Sequence, residues 1–332
     1  MKFFRRLFDW IKQRKKRLMI SAAVFVSGAF VLLNIISYNQ AYAMTHFTAE
    51  GERTSIPEKL SLSQKAKVLF CGVNVPRPCG IATPSDVGLD FEELAIHCSN
   101  GIRLGAWHCP VPKSNGLVIL FHGYAGDKSS LLAEAARFHA LGWSALLVDF
   151  RGSGQSSESY TSVGFCEAED VAEAVRFARS TLPFSKIVLF GQSMGSAAVL
   201  RSISDCGVKP DALIVESVFD SMLNTVKNRF SIMGVPSIPC AQLLMFWGGR
   251  QMSFDAFSHN PADYARSVAC PCLFMHGSDD PRARLSEAKR VYDAVPGRKQ
   301  FKEFKGAKHE SFATRFPMEW DAAEEEFLSL RQ

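Results

Sequence analysis

The sequence predicts an α/β protein: a mainly parallel sheet covered by helices on both faces, with a small helical insertion and an N-terminal helix long enough to cross a membrane. Three observations carry this reading. From residue 91 onward, short apolar runs bounded by turn residues alternate with segments of helical period. One stretch, 217–262, breaks the alternation, and an uncharged 20-residue run, Leu18 to Ser37, follows a strongly basic lead. With 332 residues, 47% of them hydrophobic, the chain has enough apolar material for a sizeable core, which excludes disordered, collagen-like and disulfide-miniprotein classes.

The lead, residues 1–17, holds eight basic residues and one acid, a charge of +7. The rest of the chain has 30 basic against 32 acidic residues, so the overall +5 belongs to the lead and no nucleic-acid partner is expected. Phe3, Phe4, Leu7, Phe8, Trp10 and Ile11 among those charges suit a helix lying on an anionic inner leaflet. At ~1.5 Å per residue the following apolar run reaches about 30 Å, the thickness of a bilayer core. Retention of Lys and Arg on the cytoplasmic side predicts a single-pass protein with its N-terminus inside and its bulk outside. The expected division is a basic cytoplasmic lead (1–17), a transmembrane helix or signal-anchor (18–38), a lead-in (39–90) and an α/β domain (91–332) with the insertion 217–262. Ala41-Tyr42-Ala43 has the small-x-small form of a signal-peptidase site. An uncleaved anchor is favoured over secretion after cleavage near Ala43, because lead and apolar run exceed a usual secretory signal in length. No oligomeric state is legible.

An outward-facing domain with nine cysteines permits disulfides and leaves at least one thiol over. The pairs Cys71 with Cys79 and Cys98 with Cys109 are candidates by position. Cys270-Pro-Cys272 opens an apolar strand without a second Cys/His cluster, so neither metal nor cofactor is expected. Within the domain, Phe91–Cys98 and Arg103–Cys109 read as strands turned at Ser99-Asn100-Gly101. Strands are then expected at Leu117–Phe121, Ser144–Val148, Lys186–Phe190, Asp211–Val215, Cys272–Met275 and Gln300–Phe304. Helices are expected at Lys128–Leu141, Glu167–Leu182, Met194–Asp205, Leu285–Val295 and Pro317–Leu330. The insertion carries Pro236, Pro239, Gly248, Gly249 and the apolar Cys240–Trp247, and would roof a site with apolar walls.

Gly191-Gln192-Ser193-Met194-Gly195 lies between an apolar strand and an Ala- and Leu-rich helix, the setting a G-x-S-x-G nucleophile elbow requires. Glycine two before and two after Ser193 lets strand and helix approach closely. The strained turn then presents the hydroxyl at a helix N-terminus, where amides and the dipole favour developing negative charge. A serine hydroxyl needs a base, and the base needs an acid to hold its tautomer. Of eight histidines only His309 follows all the sheet elements and lies in a loop. His46, His97, His108 and His139 precede the nucleophile in lead, strand or helix positions, His259 belongs to the insertion, and His276 shapes the loop His276-Gly-Ser-Asp-Asp280. Asp280 is the acid favoured by the chain order Ser, Asp, His, with Asp279 and Glu216 as rivals. Oxyanion donors are expected from the Met194 amide and from His122-Gly123-Tyr124-Ala125-Gly126, where Tyr124 supplies the amide and the glycines permit the chain reversal. Asp149-Phe-Arg151-Gly152-Ser-Gly154-Gln-Ser156 lacks Walker spacing, so Asp149 and Arg151 read as braces beside the site.

Taken together and in this order, these five motifs resemble the α/β-hydrolase superfamily, in its serine aminopeptidase-like or monoacylglycerol-lipase-like branch, which includes membrane-tethered bacterial members. The resemblance covers about Phe91 to Leu330. It implies the α/β-hydrolase fold, with Ser193, Asp280 and His309 as catalytic triad and Tyr124 and Met194 as oxyanion donors. One departure is visible: where the family usually has Val-Pro after the acid, this chain has Pro281-Arg-Ala-Arg284, which keeps Asp279 open beside Asp280. The expected activity is hydrolysis of a carboxylic ester, lipid or small, through an acyl-enzyme. A thioesterase or peptidase on the same machinery, and a catalytically silent tethered interaction module, are the alternatives.

Overall fold

Strands β1 (Glu92–His97), β2 (Arg103–Cys109), β3 (Leu117–Phe121), β4 (Ser144–Val148), β5 (Ile187–Gln192), β6 (Ala212–Glu216), β7 (Cys272–Gly277) and β8 (Lys299–Phe304) form one sheet. Its order is β1-β2-β4-β3-β5-β6-β7-β8. β2 runs antiparallel to both β1 and β4, and all pairings from β4 to β8 are parallel. The central strands are apolar at consecutive positions because both faces are covered. In β3, Leu117, Ile119 and Phe121 face one core, and Val118 and Leu120 the other. The computed structural model describes residues 2–329; Met1 and residues 330–332, including Leu330 of the predicted last helix, lie outside the described residues. The side chains of residues 1–9, 11 and 57 also lie outside them, and with them Phe3, Phe4, Leu7, Phe8 and Ile11 of the amphipathic lead.

Helices α1 (Lys2–Thr45) and α2 (Leu62–Cys71) precede the sheet. α3 (Leu132–Ala140), α4 (Glu167–Thr181) and α5 (Met194–Asp205) connect its strands, and α6 (Met222–Met233), α7 (Cys240–Gln251) and the short α8 (Pro261–Tyr264) make up the insertion. α9 (Leu285–Ala294), α10 (Phe312–Arg315) and α11 (Pro317–Ser329) follow. One face of the sheet receives Val171 of α4, Val199 of α5 and Val291 of α9; the other receives Phe138 of α3, Phe312 of α10 and Trp320 of α11. Each such side chain contributes about 1.5–3 kcal/mol by leaving water.

The apolar helix runs further than the charge pattern suggests. Residues 12–45 are long and apolar enough to cross a membrane, but α1 continues past the expected end at 38 to Thr45. The reason is tertiary: Ser37, Ala41 and Thr45, spaced four apart on one helical face, are buried. α7 lies alongside, with the Trp247 indole N–H donating to Asn34 Oδ1 at 3.1 Å and Gln251 donating to the Tyr38 carbonyl at 2.9 Å. Beyond α1, short β-bridges tie His46 to Tyr160 and Thr48 to Pro76, and Arg77 donates to the Gly154 carbonyl at 3.0 Å.

Neither candidate disulfide forms. The antiparallel register sets His97 opposite Arg103 and Glu92 opposite His108, so Cys98 and Cys109 stand at opposite ends of the β1-β2 hairpin. About six residues at ~3.4 Å each separate them, far beyond the ~7 Å limit for Cα atoms of a disulfide. Cys71 and Cys79 are both exposed, one ending α2 and the other in the loop beyond it.

Asp149 and Arg151 brace the loop after β4, as their motif suggests. The Asp149 carboxylate accepts the Lys128 ammonium, the Lys128 amide at 2.8 Å and the Gln155 amide at 3.0 Å, while the Arg151 guanidinium meets Asp170 at 2.7 Å. Lys128 and Asp149 are both buried, and the ammonium also sits 4.4 Å from the centre of the Trp107 ring. Lys128→Met would leave a buried carboxylate without its countercharge, and should lower stability by about 3–5 kcal/mol in urea unfolding. A loss under about 1 kcal/mol would show that water reaches Asp149 and that the pair is dispensable.

Candidate active site

The site is built where β5 turns into α5. Ser193 occupies this turn with φ 54° and ψ −109°, a conformation that costs a non-glycine residue about 1–3 kcal/mol. The surroundings impose it. A Cβ on Gly195 would stand 2.2 Å from the Phe121 carbonyl oxygen, and one on Gly191 would stand 2.7 Å from the Gly195 carbonyl carbon. The Ser193 amide donates to the Glu216 carbonyl at 2.8 Å, fixing the turn to β6.

From that turn the Ser193 hydroxyl lies 2.9 Å from His309 Nε2, and His309 Nδ1 lies 2.6 Å from Asp280 Oδ2. Because a carboxylate only accepts, Nδ1 carries the imidazole proton and Nε2 is left to accept from the serine. The Asp280 carboxylate also accepts the amides of Arg282 at 2.8 Å and Ala283 at 3.0 Å. Burial raises its pKa, but the His309 hydrogen bond, the His309 charge and the Ala283 amide together hold it below the ordinary 3.8. It is ionised at neutral pH. The β7 and β8 loops come together because residue 277 is glycine, where a Cβ would meet the Ala307 carbonyl oxygen at 2.4 Å.

The carboxylates of Asp279 and Glu216 make other contacts. Asp279 is exposed and accepts from the Ser278 hydroxyl at 2.7 Å. Pro281-Arg-Ala-Arg284 supplies the two amides on Asp280, so the departure from Val-Pro leaves the acid's anchoring intact. His276 donates through Nε2 to the Ala283 carbonyl at 2.8 Å and is kept neutral by burial, so it shapes the loop. Glu216 is buried beneath the elbow, where Gln192 donates to it at 2.8 Å and Trp320 at 3.4 Å. Burial and the neighbouring Glu134 push it up to about 8.

His122-Gly123-Tyr124-Ala125-Gly126 lies against the elbow, since a Cβ on Gly123 would come within 3.6 Å of Ser193 Cβ. His122 accepts the Phe150 amide through Nε2 at 3.1 Å, so its Nδ1 proton donates to the Gly123 carbonyl at 2.9 Å and fixes the loop. The amides of Tyr124 and Met194 have no hydrogen-bond partner among the described residues. The Tyr124 hydroxyl donates to the Met44 carbonyl near the end of α1 at 2.6 Å, and burial pushes the phenol up to about 12. No sequence pattern signals that bond, which joins residues 80 apart. His259 of the insertion is buried and its Nε2 meets the Val163 carbonyl at 3.1 Å, a structural role. A cavity of about 770 Å³ lined by Asn115, Trp143, Lys186 and Asp211 lies at the N-terminal ends of the strands, a strand length from Ser193.

Comparison with known proteins places this site in context. Residues 112–262 match the family model described as serine aminopeptidase, S33. The chain is 24% identical to the lysophosphatidylserine lipase ABHD12 of Danio rerio over 71% of this chain and 67% of that protein. It is also 24% identical to the uncharacterized protein YqkD of Bacillus subtilis over 73% and 82%. A Pyrococcus furiosus esterase superposes with a TM-score of 0.66 at 23% identity, covering 77% of this chain and 97% of the esterase. The chain has the α/β-hydrolase fold, and the family model, the lipase relative and the esterase together support a member of that superfamily. It is an enzyme of the serine-hydrolase class, esterase- or lipase-like, whose N-terminal apolar helix fits a transmembrane anchor.

Glu216 makes stability depend on pH. Its folded pKa of about 8 exceeds the ordinary 4.5, so between those values the native state keeps a proton that the unfolded chain releases. Stability therefore falls as pH rises through that window. Glu216→Gln should flatten the dependence, and urea unfolding at pH 5 and pH 8 should show the variant gaining on the wild type at the higher pH. Parallel pH profiles for both proteins would mean that Glu216 is ionised in the native state.

Proposed function

We propose that the protein is a membrane-anchored carboxylic ester hydrolase that acts on acyl esters of lipid through Ser193, His309 and Asp280. The observation that carries this is the hydrogen-bond chain from a strained serine through His309 to a buried carboxylate, at 2.9 and 2.6 Å. Ser193 Oγ attacks the ester carbonyl as its proton passes to His309 Nε2, and Asp280 stabilises the imidazolium that forms. The amides of Tyr124 and Met194 hold the oxyanion. Collapse expels the alcohol, which takes the proton from His309 and leaves an acyl-enzyme. His309 then deprotonates a water that attacks this ester, and the second collapse releases the acid and restores Ser193.

Lipid is favoured by where the site stands. Met44, bonded to Tyr124, follows Ser37 by seven residues, about 10 Å of helix beyond the apolar run. The oxyanion loop thus sits close to the membrane surface, within reach of an ester whose chain remains in the bilayer. With the +7 lead retained in the cytoplasm, α1 crosses once and the catalytic domain faces outward. The lipase among the relatives agrees with such a substrate, while the peptidase family model keeps a thioester or peptide bond as the second reading.

Ser193→Ala should lower ester kcat/KM by roughly 10⁴-fold or more with an unchanged far-UV circular dichroism spectrum. A fluorophosphonate should label the wild type at Ser193 and leave the variant unlabelled. Undiminished ester hydrolysis by the variant would overturn the nucleophile assignment, and an unreactive wild-type serine would favour a silent interaction module.

A further inference from the structure

Among the described residues, Arg229 is the one arginine that is not exposed and has neither a hydrogen bond nor an ion pair. The other shielded guanidiniums are all engaged: Arg137 with Asp321, Arg151 with Asp170, Arg201 with Asp205, Arg282 with Glu58, and Arg77 with backbone carbonyls. Shielding a cation from water without a partner is costly, so its retention on a helix packed against the Asp280 loop calls for a ligand.

Its position defines that ligand. Arg229 lies on α6, whose Thr225 and Asn228 side chains donate to the Arg282 carbonyl at 3.2 and 3.0 Å, so this face of the helix rests on the acid loop. Its electrostatic neighbours are Arg282 and Asp280 of that loop, Glu58, and Tyr124 of the oxyanion loop. Those two loops flank Ser193. Glu58 also feels Arg229, but both its carboxylate oxygens are taken by Arg282, at 2.6 and 3.1 Å. Arg53, exposed and likewise unpaired, acts on Tyr124 as well. Burial and the Arg282 charge push the Arg229 guanidinium down only to about 10, so it stays cationic at neutral pH. A domain with net negative charge has thus placed cations without partners beside the Asp280 loop and Tyr124.

We infer that Arg229, assisted by Arg53, forms a subsite for an anionic group carried by the substrate, a phosphate or carboxylate on the ester that Ser193 cleaves. A guanidinium binds such groups through two parallel N–H bonds, which lysine cannot reproduce. The inference rests on the ester-hydrolase reading and adds the charge of the substrate to it.

The test uses the full-length protein in a non-ionic detergent with two pairs of esters. Oleoyl lysophosphatidic acid and monooleoylglycerol share an acyl chain and differ by the phosphate; 3-acetoxybenzoate and phenyl acetate differ by a carboxylate and carry no lipid. Wild type should prefer the anionic lipid, and Arg229→Ala should lower the anionic-to-neutral ratio of kcat/KM by roughly 10- to 100-fold, with Arg229→Lys losing less. The same change in the soluble pair would assign the subsite to any anionic ester, and a change in the lipid pair alone would assign it to a headgroup. Equal losses on charged and neutral esters, or an unaltered ratio, would overturn the subsite. Fluorophosphonate labelling of Ser193 in each variant separates the two levels. Labelled protein with an unaltered ratio refutes the subsite alone, whereas unlabelled wild type refutes the hydrolase reading beneath it.

Discussion

The contact on which the site depends is the close approach of α5 to the β3 and β5 strands at Gly191 and Gly195. Helix backbone and strand backbone are so near there that neither position has room for a single methyl group. Ser193, midway between them, is consequently held at positive φ, which places its hydroxyl outside the turn, at the start of a helix. Everything that prepares Ser193 is arranged around this point. Gly123 brings the loop His122 to Gly126 against it, and the β7 and β8 loops, drawn together at Gly277, deliver Asp280 and His309. The strain at one residue is sustained by a sheet whose central strands are buried on both faces.

A second set of contacts links this machinery to the membrane segment. α1 does not end at the bilayer boundary expected from charge but continues as a packed element, with α7 alongside it and the Met44 carbonyl taken by Tyr124. Tyr124, next to the glycine that packs against Ser193, is therefore held through its own side chain by the end of the apolar helix. The end of α1, the insertion and the loop His122 to Gly126 are thus joined by direct contacts. The same insertion supplies Arg229, so the part of the chain that packs along α1 also carries a guanidinium without a partner beside the Asp280 loop.

Much of the fold was legible because it rests on local signals. Apolar runs such as Leu117–Phe121 and helical periods such as Met194–Asp205 match observed elements at or near their ends, since burial on both faces demands those patterns. Chain order pointed to Ser193, Asp280 and His309, and these three stand within hydrogen-bonding distance of one another in sequence Ser, His, Asp. Asp279 and Asp280 are adjacent and chemically identical, so only the loop's conformation separates an exposed side chain from a buried one. The cysteine pairs looked plausible because spacing says nothing of register: antiparallel pairing of β1 with β2 sends Cys98 and Cys109 to opposite ends. The Tyr124 to Met44 bond and the unpaired Arg229 have no local signature at all.

By itself the sequence determined the class of fold, the presence of an apolar membrane-length helix with its charge confined to one side, and the residue types available for nucleophile, base and acid. These follow from periodicity, composition and short motifs, which are properties of neighbouring residues. The tertiary structure decided which carboxylate meets His309, where Glu216 is buried, how far α1 extends and which cation is left without a partner. Each of those depends on the distance between groups far apart in the chain, and such distances exist only once the sheet has closed around its core.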